Sequence, residues 1–122
     1  MKNQEFKTMV TNAINALEMQ GEVCKNRTGY CVYLNRKGMC CIVGHMMPND
    51  ETRESAGASG DTTIDGLAKI DFPWCESFGY EQIRTLTILQ NIHDNHFYPA
   101  FDERINVMRE VAAQLPTEEE EC

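Results

Sequence analysis

The sequence lacks three features that would point directly to a function: closely paired cysteines, a long apolar run and an excess of basic residues. No C-x-x-C pair occurs among its 6 cysteines, so the spacing typical of zinc ribbons is missing. No apolar run approaches the ~20 residues of a membrane helix, and Met1 leads into a polar segment rather than a secretory signal. We therefore expect a cytoplasmic protein with reduced thiols and no membrane partner.

Basic residues are outnumbered throughout the chain. The 11 Lys and Arg face 19 Asp and Glu, which gives a formal net charge of −8. Part of the excess is the run Glu118 to Glu121, and without these four acids the charge is still about −4. An acidic chain disfavours direct nucleic-acid binding through phosphates. It leaves open a basic protein partner or an acidic mimic of nucleic acid.

Length and composition are those of one globular domain. The 122 residues are 42% hydrophobic and 25% charged, which suffices for one core but not for two. We expect a single domain over residues 1–116 and a disordered acidic tail over residues 117–122.

The segment from Tyr30 to Pro48 has the highest density of motifs. Two runs rich in β-branched and aromatic residues, Tyr30 to Leu34 and Met39 to Val43, flank the turn-forming residues 35–38. The pattern predicts a β-hairpin with Gly38 at the left-handed position of its turn. Both faces of this hairpin are apolar, so helices or a second copy of the chain must cover it.

Helices are predicted on either side of the hairpin. Apolar residues at helical spacing predict one helix from Asn3 to Gln20, stopped by Gly21. Similar spacing predicts an antiparallel pair, from about Gly79 or Tyr80 to Asn95 and from about Ala100 to Leu115.

Between the hairpin and the helix pair, the sequence becomes polar. Asn49 to Gly66 contains almost no large apolar residue and predicts a long acidic loop, either a lid or a mobile excursion. Asp71 to Cys75 is expected to be extended because of Pro73. The predicted fold class is therefore α+β: an N-terminal helix, a central β-hairpin, a long acidic loop and a C-terminal antiparallel helix pair.

A metal site is one alternative for the cysteines and histidines. Cys31, Cys41 (or Cys40) and His45 lie on or near one face of the predicted hairpin, and His93 or His96 supplies a fourth ligand from the following helix. Thiolate and imidazole together suit zinc. Against this, cysteine is an ordinary small core residue, so our expectation is no metal and no cofactor.

A nucleophilic pair is the second chemical alternative. Cys41 activated by His93 would be a minimal hydrolase or transferase pair. Asp94 follows His93 directly, and neighbouring side chains leave a helix about 100° apart, so we do not expect Asp94 to orient the imidazole. No complete catalytic set is visible, and the expectation is a protein that binds rather than catalyses.

Several of these residues also form a recognisable arrangement. Cys31-x-Tyr33, then Gly38-x-x-Cys41-x-Val43-Gly44 and Pro48, followed by Leu89-Gln90-x-x-His93-Asp94, resembles an uncharacterised family of small proteins from phages and bacterial genomes. The resemblance covers about a third of the chain. It implies a phage-type source and a hairpin followed by a helix, but no reaction. It marks as noteworthy the positions Cys31, Tyr33, Gly38, Cys41, Gly44, Pro48, Gln90, His93 and Asp94.

The function expected from these observations is that of a small accessory protein in the cytoplasm, the host cytoplasm if phage-encoded. It would counter a host defence by sequestering a nucleotide-like signal, with a homo-oligomer as one way to form the site, or by occupying a host protein surface. Alternatives are the metal-stabilised or Cys/His-dependent enzyme and the acidic nucleic-acid mimic. The expected ligand-binding residues are Tyr33, Cys41, Gly44, His45, Trp74, Gln90, His93 and Asp94.

Overall fold

The helix predicted near the N-terminus from the spacing of apolar residues is present. In a computed structural model, which describes residues 1–27, 32–60, 63–94 and 100–118, helix α1 spans Asn3–Gln20. Gly21 ends it with φ 86°, in the left-handed region, and donates its backbone N–H to the oxygen of Leu17 at 3.1 Å. The buried side chains of α1 are Phe6, Val10, Ala13, Ile14 and Leu17.

The described part of the chain contains no central β-hairpin, and the predicted α+β fold class is therefore wrong. The described part of the chain is mostly helical (66%), with 3% strand and no sheet. Where the hairpin was expected, the described residues show one isolated antiparallel bridge, between Leu34 and Cys40. The turn itself forms, since Gly38 has φ 81° and donates its N–H to Asn35 O at 3.1 Å. Residues 30 and 31 of the first expected strand lie outside the described ranges.

A short helix, α2 (Ile42–Met46), takes the place of the second strand. Cys41 caps it, because its Sγ accepts the backbone N–H of Gly44 at 3.2 Å. The side chain of Gln20 forms hydrogen bonds with the backbone of Cys40, as a neighbouring strand would. Cys40 N–H donates to Gln20 Oε1, and Cys40 O accepts from Gln20 Nε2, both at 2.9 Å. A short apolar run can be buried as helix or strand, so periodicity alone did not distinguish the two.

The long acidic loop predicted over residues 49–66 is also wrong. The structure forms α3 (Asp50–Ala58) and α4 (Ile64–Lys69), and side-chain oxygens of Asn49 and Thr63 cap them. Their apolar signal is weak, since α3 buries only Ala56. The sequence signals for these two helices were their capping residues and the acidic residues in their first turns.

The C-terminal half contains two longer helices close to the predicted bounds. A 3₁₀ helix, Pro73–Ser77, replaces the expected extended segment. It precedes α5 (Tyr80–Asp94) and α6 (Phe101–Ala113), which pack against each other. Glu119 to Cys122 of the predicted tail lie outside the described ranges.

Helix α2 lies at the centre of the packing. It contacts α1 and α5, while α1 also contacts α6 and α5 also contacts α4. Ile42, Val43, Gly44 and Met46 are all buried, and the three apolar side chains among them belong to one connected hydrophobic core. Within the described ranges, no helix combines the length and apolar character needed to cross a membrane.

Candidate functional site

An open cleft of about 750 Å³ lies between the segment that follows α1 and the turn that precedes α2. We call it the basic cleft, because four of the 11 basic residues of the chain line it, together with one acid, Glu22. The basic residues are Lys25, Arg27, Arg36 and Lys37, and the apolar lining comes from Val23, Val32, Leu34 and Met39.

The four cations of the basic cleft form no ion pairs with described residues. All four cations are exposed. This concentration of positive charge contrasts with the net charge of −8 for the whole chain. A local field of this kind attracts small anions, and Lys and Arg bind phosphate and carboxylate groups through charge-assisted hydrogen bonds.

Asn35 connects the two sides of the basic cleft. Its Oδ1 accepts the backbone N–H groups of Lys37 at 2.9 Å and Met39 at 3.0 Å, which shapes the turn. Its Nδ2 donates to the backbone oxygen of Lys25 at 3.1 Å, in the segment that follows α1. Asn35 is therefore one of the groups that set the relative position of the two basic segments.

His93 anchors the segment after α1 to the core. The ring is fully buried, and its Nε2 lies 3.2 Å from the backbone nitrogen of Cys24. Because a backbone N–H can only donate, Nε2 accepts and the ring proton is on Nδ1, 2.7 Å from Asp94 Oδ1. The expectation that Asp94 would not orient its neighbour is therefore wrong. At the last residue of α5 the short carboxylate reaches the imidazole.

Three buried thiols lie around this anchor. Burial raises the pKa of Cys24 to about 11 and raises the pKa values of Cys40 and Cys41 above their ordinary value. The Sγ of Cys24 donates to Met39 O at 3.1 Å. These groups are thiols rather than thiolates at neutral pH, whereas nucleophilic attack and metal binding require the thiolate.

The structure does not assemble the nucleophilic pair suggested for Cys41 and His93. Both nitrogens of His93 are already engaged, by Cys24 N–H and by Asp94. The Sγ of Cys41 accepts from Gly44 N–H instead. The arrangement therefore shows a helix cap and a satisfied core histidine at these two positions.

The alternative metal set is not brought together among the described residues. No group of three or more His, Cys, Asp or Glu in the described ranges is placed to hold a metal ion. His45 Nε2 bonds to Gln20 Oε1 at 2.9 Å, and burial, followed by the charge of Arg53, lowers the pKa of His45. Cys31 and His96 lie outside the described ranges.

The eight expected ligand-binding residues lie in or beside the core, and none of them lines the basic cleft. Cys41, Gly44 and His45 are on or next to α2, and Gln90, His93 and Asp94 are on α5, which packs against α2. Gln90 Oε1 accepts the N–H of Ile64 at 2.8 Å. Tyr33 is buried at the turn before α2, and Trp74 packs edge-on against Phe78 with ring centroids 4.8 Å apart.

Sequence analysis missed the residues of the basic cleft. A signal was present, because Lys25, Arg27, Arg36 and Lys37 fall within 13 positions of a chain poor in basic residues. Their clustering depends on the fold, which places the segment after α1 beside the turn that holds Arg36 and Lys37.

Comparison with models of known protein families, with curated proteins and with solved structures finds no match to this chain. The resemblance to small phage and bacterial proteins therefore stays a prediction. The geometry of the basic cleft is the basis for a functional proposal.

We expect the protein to lose stability at alkaline pH because of its buried thiols. The pKa of Cys24 is raised from 9.0 to about 11 on folding, so the folded state retains a proton that the unfolded state releases. The free energy of unfolding therefore falls as pH rises from about 9 towards 11, by about 1 kcal/mol at about pH 10 for this thiol alone. Urea unfolding across this pH range measures the decline. The variant Cys24→Ala should decline less steeply, and an identical slope would contradict the assignment.

Proposed function

We propose that this protein acts by binding a small, nucleotide-like anion in the basic cleft. The observation that carries the proposal is the clustering of four exposed cations around an apolar lining in a chain of net charge −8. Lys and Arg suit phosphate groups, and the side chains of Val32, Leu34 and Met39 offer a surface for a flat ring.

The volume of the cleft is that of a small-molecule site. Its volume of about 750 Å³ falls within the range of about 300–1,000 Å³ that is usual for small-molecule sites. The biological role that we propose with this site is sequestration of a nucleotide-like signal by a phage-type accessory protein. Support for the ligand class comes from the cleft, and support for the phage role comes only from the resemblance in sequence.

Titration calorimetry with ADP and adenosine tests the proposal. We expect ADP to bind at least about tenfold more tightly than adenosine, because only ADP engages the cations. The affinity for ADP should fall as salt is added. The double substitution Arg36→Ala with Lys37→Ala should lower ADP affinity by about tenfold or more, since each charge-assisted hydrogen bond contributes about 1.5–3 kcal/mol.

A matched control separates the cleft from general charge effects. Arg84 is exposed on α5 and does not line the cleft, so Arg84→Ala should leave ADP affinity unchanged within about twofold. Equal affinity for ADP and adenosine, or equal losses from the cleft and control variants, would contradict the proposal.

A further inference from the structure

We infer that the ligand carries two separated anionic groups, one for each side of the basic cleft, and that Asn35 sets the distance between the sides. The inference rests on the proposed function and specifies its ligand class. It concerns the arrangement of the cations, whereas the proposal above concerns their presence.

The cations form two pairs on different segments. Lys25 and Arg27 belong to the segment that follows α1, and Arg36 and Lys37 belong to the turn before α2. The apolar side chains of the lining occupy the same cleft. A ligand with one anionic group at each end of an apolar or sugar centre would use both pairs.

Hydrogen bonds hold the two segments together before any ligand arrives. Asn35 Nδ2 donates to Lys25 O at 3.1 Å, while Asn35 Oδ1 accepts from Lys37 N–H at 2.9 Å. A second link runs from Cys24 Sγ to Met39 O at 3.1 Å, and His93 fixes the backbone of Cys24. The two pairs of cations therefore start from a fixed backbone geometry, which reduces the entropy lost on binding.

This geometry predicts a preference that total charge does not. Once one anionic group is bound to one side, a second group held by the same molecule meets the other side at high effective concentration. A ligand with one phosphate gains nothing from the second side. A ligand with two adjacent phosphates has similar charge but holds its two anionic groups closer together.

Three adenosine probes test the preference by calorimetry: AMP, ADP and adenosine 3′,5′-bisphosphate. We expect the 3′,5′-bisphosphate to bind about tenfold or more tightly than AMP, and several-fold more tightly than ADP, as bivalent attachment requires. Binding of the bisphosphate no tighter than that of ADP would overturn the inference and leave the proposed function standing. No binding of any of the three would overturn the proposed function itself.

Asn35 is a positioning residue, and its test uses a ratio of affinities. Asn35→Ala should reduce the preference for the 3′,5′-bisphosphate over AMP from about tenfold to about threefold or less, because the side-chain link between the two segments is lost and only the contacts of Cys24 remain, and should leave AMP binding nearly unchanged. Equal losses for both probes would indicate a general structural effect and would overturn the positioning role.

A second set of variants keeps the inference testable if Asn35→Ala does not fold. Lys25→Ala and Lys37→Ala remove one exposed cation from each side. If each side holds its own phosphate, the double variant should lower the affinity for the bisphosphate by about the product of the two single fold-losses. For AMP, at least one single variant should change affinity by no more than about twofold, because the other side still binds the phosphate, and larger losses for both single variants would contradict binding on two sides.

Discussion

Replacing Gly44 with alanine is expected to destabilise the protein by about 3 kcal/mol or more, enough to unfold a marginally stable domain. An added Cβ would lie 3.2 Å from Cys40 Cβ and closer still to the backbone oxygen of Tyr33. Neither atom is the end of a flexible side chain, so the turn and α2 would have to move apart within the core. Urea unfolding, monitored by circular dichroism, measures the loss.

Gly57 on α3 provides the matched control. It is helical, and a Cβ added there meets no atom within 4 Å. Gly57→Ala should therefore stabilise the protein, by about 0.5–1 kcal/mol, through helix propensity. If the two alanine substitutions had similar effects, the close contact of Gly44 with Tyr33 would not be a determinant of the fold.

Replacing His93 with alanine is the second change with a large expected effect. The ring is 0% exposed, and the substitution both opens a cavity and removes the acceptor for the buried N–H of Cys24. We expect a loss of about 3–5 kcal/mol, combining a cavity cost with an unsatisfied donor. Thermal or urea unfolding measures this effect.

Two other substitutions test whether the effect belongs to the buried acceptor. His45 is half-buried and bonds to Gln20, so His45→Ala should cost only about 1 kcal/mol. Asp94→Asn retains an oxygen that can accept from His93 Nδ1 and should cost less than His93→Ala. Equal losses for His93→Ala and His45→Ala would show that the contact with Cys24 contributes little.

These expectations give the predicted site residues a structural explanation. Gly44 permits close packing, Cys41 caps α2, Gln90 bonds to the first residue of α4, and His93 with Asp94 holds the segment after α1. The cations proposed to bind the ligand lie on connecting segments, where binding residues often occur.

The helices that sequence analysis predicted correctly share one property. In α1, α5 and α6, apolar residues recur every three or four positions over 13 residues or more, and periodicity over that length favours a helix strongly. In α2 the helix has 5 residues and nearly all are buried, so no polar face marks its period. In α3 and α4 the polar composition concealed two capped helices.

Gly38 and Gly21 show where local chemistry was sufficient. Both adopt positive φ, as the turn and the helix end require, and both were predicted from sequence. By contrast, the strand expected after the turn depended on a partner for the backbone of Cys40. That partner is the side chain of Gln20, 20 positions earlier in the chain.

The sequence by itself determined the long helices, the turn at Asn35 to Gly38 and the acidic charge, because each depends on residues close together in the chain. Only the tertiary structure decided that Cys40 pairs with a glutamine side chain, that His93 holds the backbone of Cys24, and that four cations from two segments line one cleft. These features require contacts between distant segments. The free energies of such contacts depend on burial and geometry that no local pattern of residues contains.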